Sequence, residues 1–102
     1  MLPLIEAKRD ELENLCRQFT VSRLEVFGSA ADGSFDPEYS DLDFLVEFDR
    51  SSSMNAFHQF FGFQRSLAVL FGREVDLVDP AAMQNPYFIQ AVNESRKLVY
   101  AA

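Results

Sequence analysis

The stretch Asp41-Leu42-Asp43-Phe44-Leu45-Val46-Glu47-Phe48 constrains this chain more than any other. Side chains of an extended segment alternate between faces, so Leu42, Phe44, Val46 and Phe48 share one side while Asp41, Asp43, Leu45 and Glu47 share the other. Such a strand needs an apolar layer against its first face. Two segments can provide it. Leu4, Ile5, Leu12, Leu15, Cys16 and Phe19 recur at helical spacing among charged residues, which predicts one amphipathic helix over 4–19. Met54, Phe57, Phe60, Phe61, Leu67, Ala68, Leu70 and Phe71 predict a second, with Ser51-Ser52-Ser53 as its cap and Gly72 as its terminating glycine. Phe60 and Phe63 widen this apolar face beyond what one sheet requires, which leaves room for contact with another subunit.

The remaining segments read as further strands and turns. Val21–Phe27 is β-prone and stops at Gly28-Ser29, where a loop rich in small residues begins. A third strand over 74–78 reads as apolar enough to be central in the sheet, and Asp79-Pro80 closes it. A helix is expected within 80–93, restarting at Pro86, and a terminal strand over 97–100.

A chain of 102 residues that is 48% hydrophobic has the size and composition of one globular domain, so residues 1–102 are expected to share a single core. Cys16 lies on the buried stripe and has no second cysteine to pair with, so it reads as an inert core thiol. His58 lies off the stripe, without companions for a zinc site. No apolar run approaches the ~20 residues that cross a bilayer, and Glu6, Lys8, Arg9 and Asp10 stand where a signal peptide is apolar. A cytoplasmic protein is the expectation. The formal charge of −7 has the wrong sign for a nucleic-acid-binding face. Within 21–50, Glu25, Asp32, Asp36, Glu38, Asp41, Asp43, Glu47 and Asp49 face only Arg23 and Arg50, a concentration that invites cations.

Asp41 and Asp43 point the same way from their strand, with Cα atoms about 6.6 Å apart for a rise of roughly 3.3 Å per residue. Alternating acids on a half-exposed strand ordinarily face water. Asp76 changes this reading, because an acid set in Val75-Asp76-Leu77-Val78 is costly without a partner. Placed beside Asp41 and Asp43, it would complete a cluster that repels itself unless cations neutralise it. Mg²⁺ suits carboxylates combined with substrate phosphates. Two such ions can clamp the attacking and leaving oxygens of a phosphoryl displacement. The Gly28-Ser29 turn brings backbone N–H groups and a hydroxyl within reach of phosphate, or else simply makes a tight turn.

Taken in order, Phe27-Gly28-Ser29-Ala30-Ala31-Asp32-Gly33, Ser40-Asp41-Leu42-Asp43-Phe44-Leu45-Val46 and Val75-Asp76-Leu77-Val78 resemble the minimal nucleotidyltransferase (MNT) family of the DNA polymerase beta-like superfamily. The resemblance runs from Arg23 to Asp79, and Leu98-Val99-Tyr100 also looks like the family's usual end. It implies an α+β nucleotidyltransferase fold, a mixed sheet with helices packed mainly on one face. It also implies transfer of a nucleoside monophosphate from a nucleoside triphosphate, with Mg²⁺ or Mn²⁺. On this resemblance Gly28 and Ser29 would hold the triphosphate. Asp41 and Asp43 would ligate the metals, while Asp76 would complete the second metal site and help deprotonate or orient the acceptor hydroxyl.

Small members of the family resemble antitoxins paired with a helical HEPN ribonuclease toxin, some of which move AMP from ATP onto a tyrosine of that toxin. The resemblance therefore implies a protein acceptor and a HEPN-type partner. Asp32 stands where the family usually has Arg, and an acid there repels a triphosphate. Arg73 is the candidate to compensate, against its plainer reading as a solvated surface charge. The substitution motivates a second hypothesis, a non-catalytic module that neutralises its partner by occlusion. A phosphoacceptor domain of the receiver type would want alternating parallel βα units and a Lys near the acids, which this chain lacks.

Overall fold

The computed structural model describes residues 2–102. Its elements are α1 (Pro3–Ala7), α2 (Arg9–Gln18), β1 (Val21–Phe27), α3 (Ser29–Asp32), β2 (Leu42–Phe48), α4 (Ala56–Phe71), β3 (Val75–Val78), a 3-10 turn over Pro80–Ala82, α5 (Pro86–Ser95) and β4 (Lys97–Ala101). The four strands form one mixed sheet in the order β3-β2-β1-β4. β1 is antiparallel to both β2 and β4, whereas β2 and β3 are parallel. Parallel neighbours cannot be joined by a tight turn, and α4 is the crossover that carries the chain from β2 back to the start of β3.

The alternation seen in the sequence fixes which side is covered. Leu24, Val26, Leu42, Phe44, Val46, Val75 and Leu77 turn to one face, where Ile5, Leu12, Cys16, Phe63, Leu67 and Phe71 from α1, α2 and α4 pack on them. Burial there raises the Cys16 thiol pKa to about 12, as expected of an inert core cysteine. The opposite face is only partly covered. There α5 places Val92 over Phe27 and Leu45, which buries Leu45 although it shares a face with the acids.

Several local expectations are corrected. The amphipathic segment 4–19 is two helices broken at Lys8, which leaves helical geometry at φ −114° and ψ 18°. α4 is capped by Asn55, whose side chain accepts from the His58 amide. The serines before it serve other turns: Ser51 donates twice to Asp49 Oδ1, and Ser52 Oγ accepts from the Met54 amide. Phe57 and Phe61, placed on the buried stripe by periodicity, are 72% and 49% exposed, and Phe63 sits at the centre of the core instead. Gly72 ends α4 in the left-handed conformation at φ 63°, as its position suggests. β3 is an edge strand, not a central one.

At the other edge, β4 carries a bulge. Leu24 pairs with Tyr100 and Glu25 with Leu98, so Val99 is the extra residue. Its carbonyl accepts from Arg9 Nη1 at 2.8 Å, and Arg9 is held by ion pairs to Glu6 and Glu13.

Candidate active site

The sheet brings the three predicted carboxylates to one end of its less covered face. Asp43 is the direct cross-strand partner of Asp76, and both project from the same side because register and pleat coincide. Asp41 precedes β2 by one residue and lies near enough for its charge to act on Asp43. Asp76 and Asp41 are exposed while Asp43 is half-buried. The cost of burying an acid thus falls on Asp43 and not on Asp76, whose edge strand leaves it in water.

Asp43 shows the consequence in its titration. Burial, then the hydrogen bond and charge shared with Asp76, then the charge of Asp41, raise its pKa from 3.8 to about 6. Acids this close favour keeping a proton until a cation relieves them. Among the described residues no group of three His, Cys, Asp or Glu side chains is drawn together tightly enough to enclose an ion unaided. The donor set nevertheless suits a hard divalent cation that takes its remaining oxygens from phosphates and water.

On the other side of Asp43 lies the turn after β1. Gly28 has φ 68°, and a Cβ built on it would stand 2.7 Å from Asp43 Oδ2. Both the backbone conformation and the close approach therefore require glycine here. The Gly28 amide donates to Ser95 Oγ at 3.0 Å, so the end of α5 supports this turn. The amides of Ser29 and Ala30 donate to no acceptor among the described residues, while those of Ala31 and Asp32 bond back to the Gly28 carbonyl. Unpaired N–H groups beside a carboxylate cluster offer separate places for phosphate and for cations.

Two charged residues near the loop are held by specific partners, and for Arg73 these differ from the solvated position expected. Asp32 Oδ1 accepts from the Ser34 amide at 2.9 Å and the Ser34 hydroxyl at 2.6 Å, which lowers its pKa and commits it to its own turn. Arg73 is half-buried and not a solvated surface charge: Nη1 donates to the Ser40 carbonyl at 3.1 Å, and the guanidinium lies 4.9 Å from the centre of the Phe35 ring. It ties down the loop that delivers Asp41. Sequence reasoning missed Ser95, since nothing local marks a serine near the end of a helix as the support of a distant glycine. It also missed buried Glu25, which pairs with Arg23 and with both Nε and Nη2 of Arg96. These contacts lower its pKa to about 2, and its place in an apolar strand was the available signal.

Residues 9–99 match the protein family described as Nucleotidyltransferase domain. The chain belongs to that family. It is a nucleotidyltransferase, an enzyme class that uses a nucleoside triphosphate and a divalent metal. This nucleotidyltransferase is 35% identical over 86 residues to "Putative protein adenylyltransferase MJ0128" of Methanocaldococcus jannaschii, across 84% of this chain and 82% of that protein. Among solved structures, one described as "Structure of putative minimal nucleotidyltransferase" superposes with a TM-score of 0.74 at 29% identity, covering 94% of this chain and 93% of the other. A chain from the tri-AMPylated Shewanella oneidensis HEPN toxin in complex with MNT antitoxin superposes with a TM-score of 0.63 at 20% identity, covering 95% and 72%. At that identity the likeness speaks for the fold alone, and the fold agrees with the mixed, mainly one-sided architecture expected from the sequence.

Proposed function

We propose that this nucleotidyltransferase moves AMP from ATP, with Mg²⁺, onto a hydroxyl of a protein partner, and that the partner is a HEPN ribonuclease toxin for which it acts as antitoxin. The observation that carries the chemistry is the in-register pair Asp43 and Asp76 with the Gly28 backbone against the Asp43 carboxylate. The name of the archaeal relative and the subject of the Shewanella complex support the protein acceptor and the toxin.

In this reading the acceptor oxygen attacks the α-phosphorus, and the bond from that phosphorus to the β-bridging oxygen breaks. AMP becomes esterified to the acceptor, and pyrophosphate leaves. Asp41, Asp43 and Asp76 would hold the divalent ions, which would supply neutralisation of phosphate charge and a template for the displacement. Asp76, the exposed acid on the edge strand, meets an acceptor arriving from solvent and orients its hydroxyl, whose proton passes to a carboxylate. Ser29, with its amide and hydroxyl, and the Ala30 amide receive triphosphate oxygens. Gly28 holds the turn open toward Asp43.

The test uses ATP labelled at the α-phosphate, Mg²⁺ or Mn²⁺, and the purified product of the neighbouring reading frame. Label is expected on that partner with the wild-type protein and not with Asp43→Asn. Absence of transfer with either ion refutes the reading. Asp32, in the place of the family's usual Arg, keeps the occlusion hypothesis in view, and the same variant separates the two. If neutralisation of the partner survives Asp43→Asn in cells, binding alone explains the antitoxin.

A further inference from the structure

We propose that a concavity at the opposite end of β2 is a docking site for an arginine side chain of a partner polypeptide. This cavity of about 880 Å³ lies between the end of β2, the start of α4 and the turn that follows β3, and none of the carboxylates of the candidate active site borders it. Phe48, Met54 and Phe60 supply its apolar wall, and its charged residues are Glu47, Asp49 and Asp79 against a single Arg50. Its field therefore favours a cation.

Gln59 decides which kind of group the wall wants. It is only 7% exposed, and its Nε2 donates to the Phe19 carbonyl at 2.9 Å and to Thr20 Oγ1 at 2.6 Å. A carbonyl can only accept, so the nitrogen end of the amide is assigned. Oε1 accepts no hydrogen bond among the described residues, and Gln59 lines the cavity. Asp49 and Asp79 commit one oxygen each, to Ser51 and to the Ala81 amide, and keep the other. The wall thus offers several acceptors to an incoming donor. Guanidinium answers this with a planar fork of N–H groups, weak hydration and affinity for aromatic faces. Its methylene stem can lie along Met54 and Phe60.

The cavity also continues into an aromatic ridge. Phe60 stands 5.1 Å from Phe61, which lies 4.6 Å from Phe57, and the latter two are the exposed rings of α4. Exposed neighbouring aromatics of this kind mark contact surfaces. A small free cation would leave them in water, whereas residues flanking an arginine in a polypeptide would cover them. The net charge of −7 suits such a basic partner.

The test is an NMR titration of the intact ¹⁵N-labelled chain with the capped peptide acetyl-Leu-Arg-Leu-amide, its citrulline counterpart and free spermidine. Citrulline keeps the shape of arginine without its charge. The arginine peptide should give saturable shifts at the Gln59 side-chain amide and the Phe60 backbone. Binding should weaken about tenfold with citrulline, and several-fold with Asp49→Asn, which keeps the oxygen that holds Ser51 and removes a carboxylate charge from the cavity lining. Phe57→Ser, on the solvent side of α4, should weaken the peptide and leave spermidine unchanged. Absence of saturable shifts up to roughly 10 mM, well above the millimolar range expected of a single side chain, overturns the proposal. Equal binding of the citrulline peptide does the same. So does spermidine binding as tightly as the peptide with no effect of Phe57→Ser, which would make this a site for free cations. None of these results bears on AMP transfer.

Discussion

Replacing Asp43 with Asn should stabilise the folded protein at neutral pH while removing its chemistry. Asp43 has a folded pKa of about 6 against an ordinary 3.8. Above pH 6 the native state thus holds an ionised carboxylate that it disfavours, whereas the unfolded chain carries the same charge without that penalty. Taken whole, the shift corresponds to about 3 kcal/mol at ~1.4 kcal/mol per unit. Water still reaches the half-buried carboxyl and screens it, so about 1–2 kcal/mol is the working figure. The stability associated with this group is complete below pH 3.8 and is lost as pH rises through about 6. Asn imitates the protonated form, so the variant should melt roughly 5–10 °C above the wild type at pH 8 and together with it near pH 3.5, at ~4–8 °C per kcal/mol. Mg²⁺ should raise the wild-type Tm at pH 8 by relieving the same repulsion, and leave the variant nearly unmoved. Differential scanning calorimetry at the two pH values, with and without Mg²⁺, tests each arm. A variant no more stable than wild type at pH 8, or equal Mg²⁺ responses, would refute the assignment of strain to Asp43.

Gly28→Ala combines an unfavourable positive φ with a contact against Asp43 Oδ2, so it should cost about 1–2 kcal/mol in denaturant unfolding and abolish AMP transfer. Ser95→Ala removes the hydroxyl that receives the Gly28 amide; it should lower AMP transfer about tenfold and cost about 1 kcal/mol of stability, measured by label transfer and urea unfolding. Glu25→Gln should destabilise by about 2 kcal/mol at pH 7 by stranding Arg96. In the wild type this ion-pair contribution is fully present above pH 4.5 and drains away as pH falls toward about 2, which a pH series of melts checks. Phe44→Ala, at a fully buried position, should cost about 3–5 kcal/mol, read from the urea midpoint.

How much of this could be read beforehand depends on what each pattern encodes. The alternation of 41–48 states which residues share a face, and Val75 and Leu77 do so for β3. The meeting of Asp43 with Asp76 was legible once the strands were taken as neighbours. Strand order was not, because an edge strand covered by α4 on one face has the same short apolar pattern as a central one. The break at Lys8 was hidden for a related reason: the apolar stripe continues across it, and neither Pro nor Gly marks the place. Phe57, Phe60, Phe61 and Phe63 are equal in hydropathy, and only the cap at Asn55 and the docking of α4 decide which rings turn inward. The supports from Ser95 and Arg73 join residues distant in sequence and leave no local trace.

The hydrogen bond from Arg9 to the bulged Val99 carbonyl joins positions ninety residues apart. A ribosome must deliver all of the intervening polypeptide before the first long helix can clasp the outermost strand. Until then β1 presents an open flank to whatever β-forming segment is at hand. The closing step therefore waits until β4 has been made, and weakening the clasp at Arg9 should leave newly made chains vulnerable for longer to proteases and to one another.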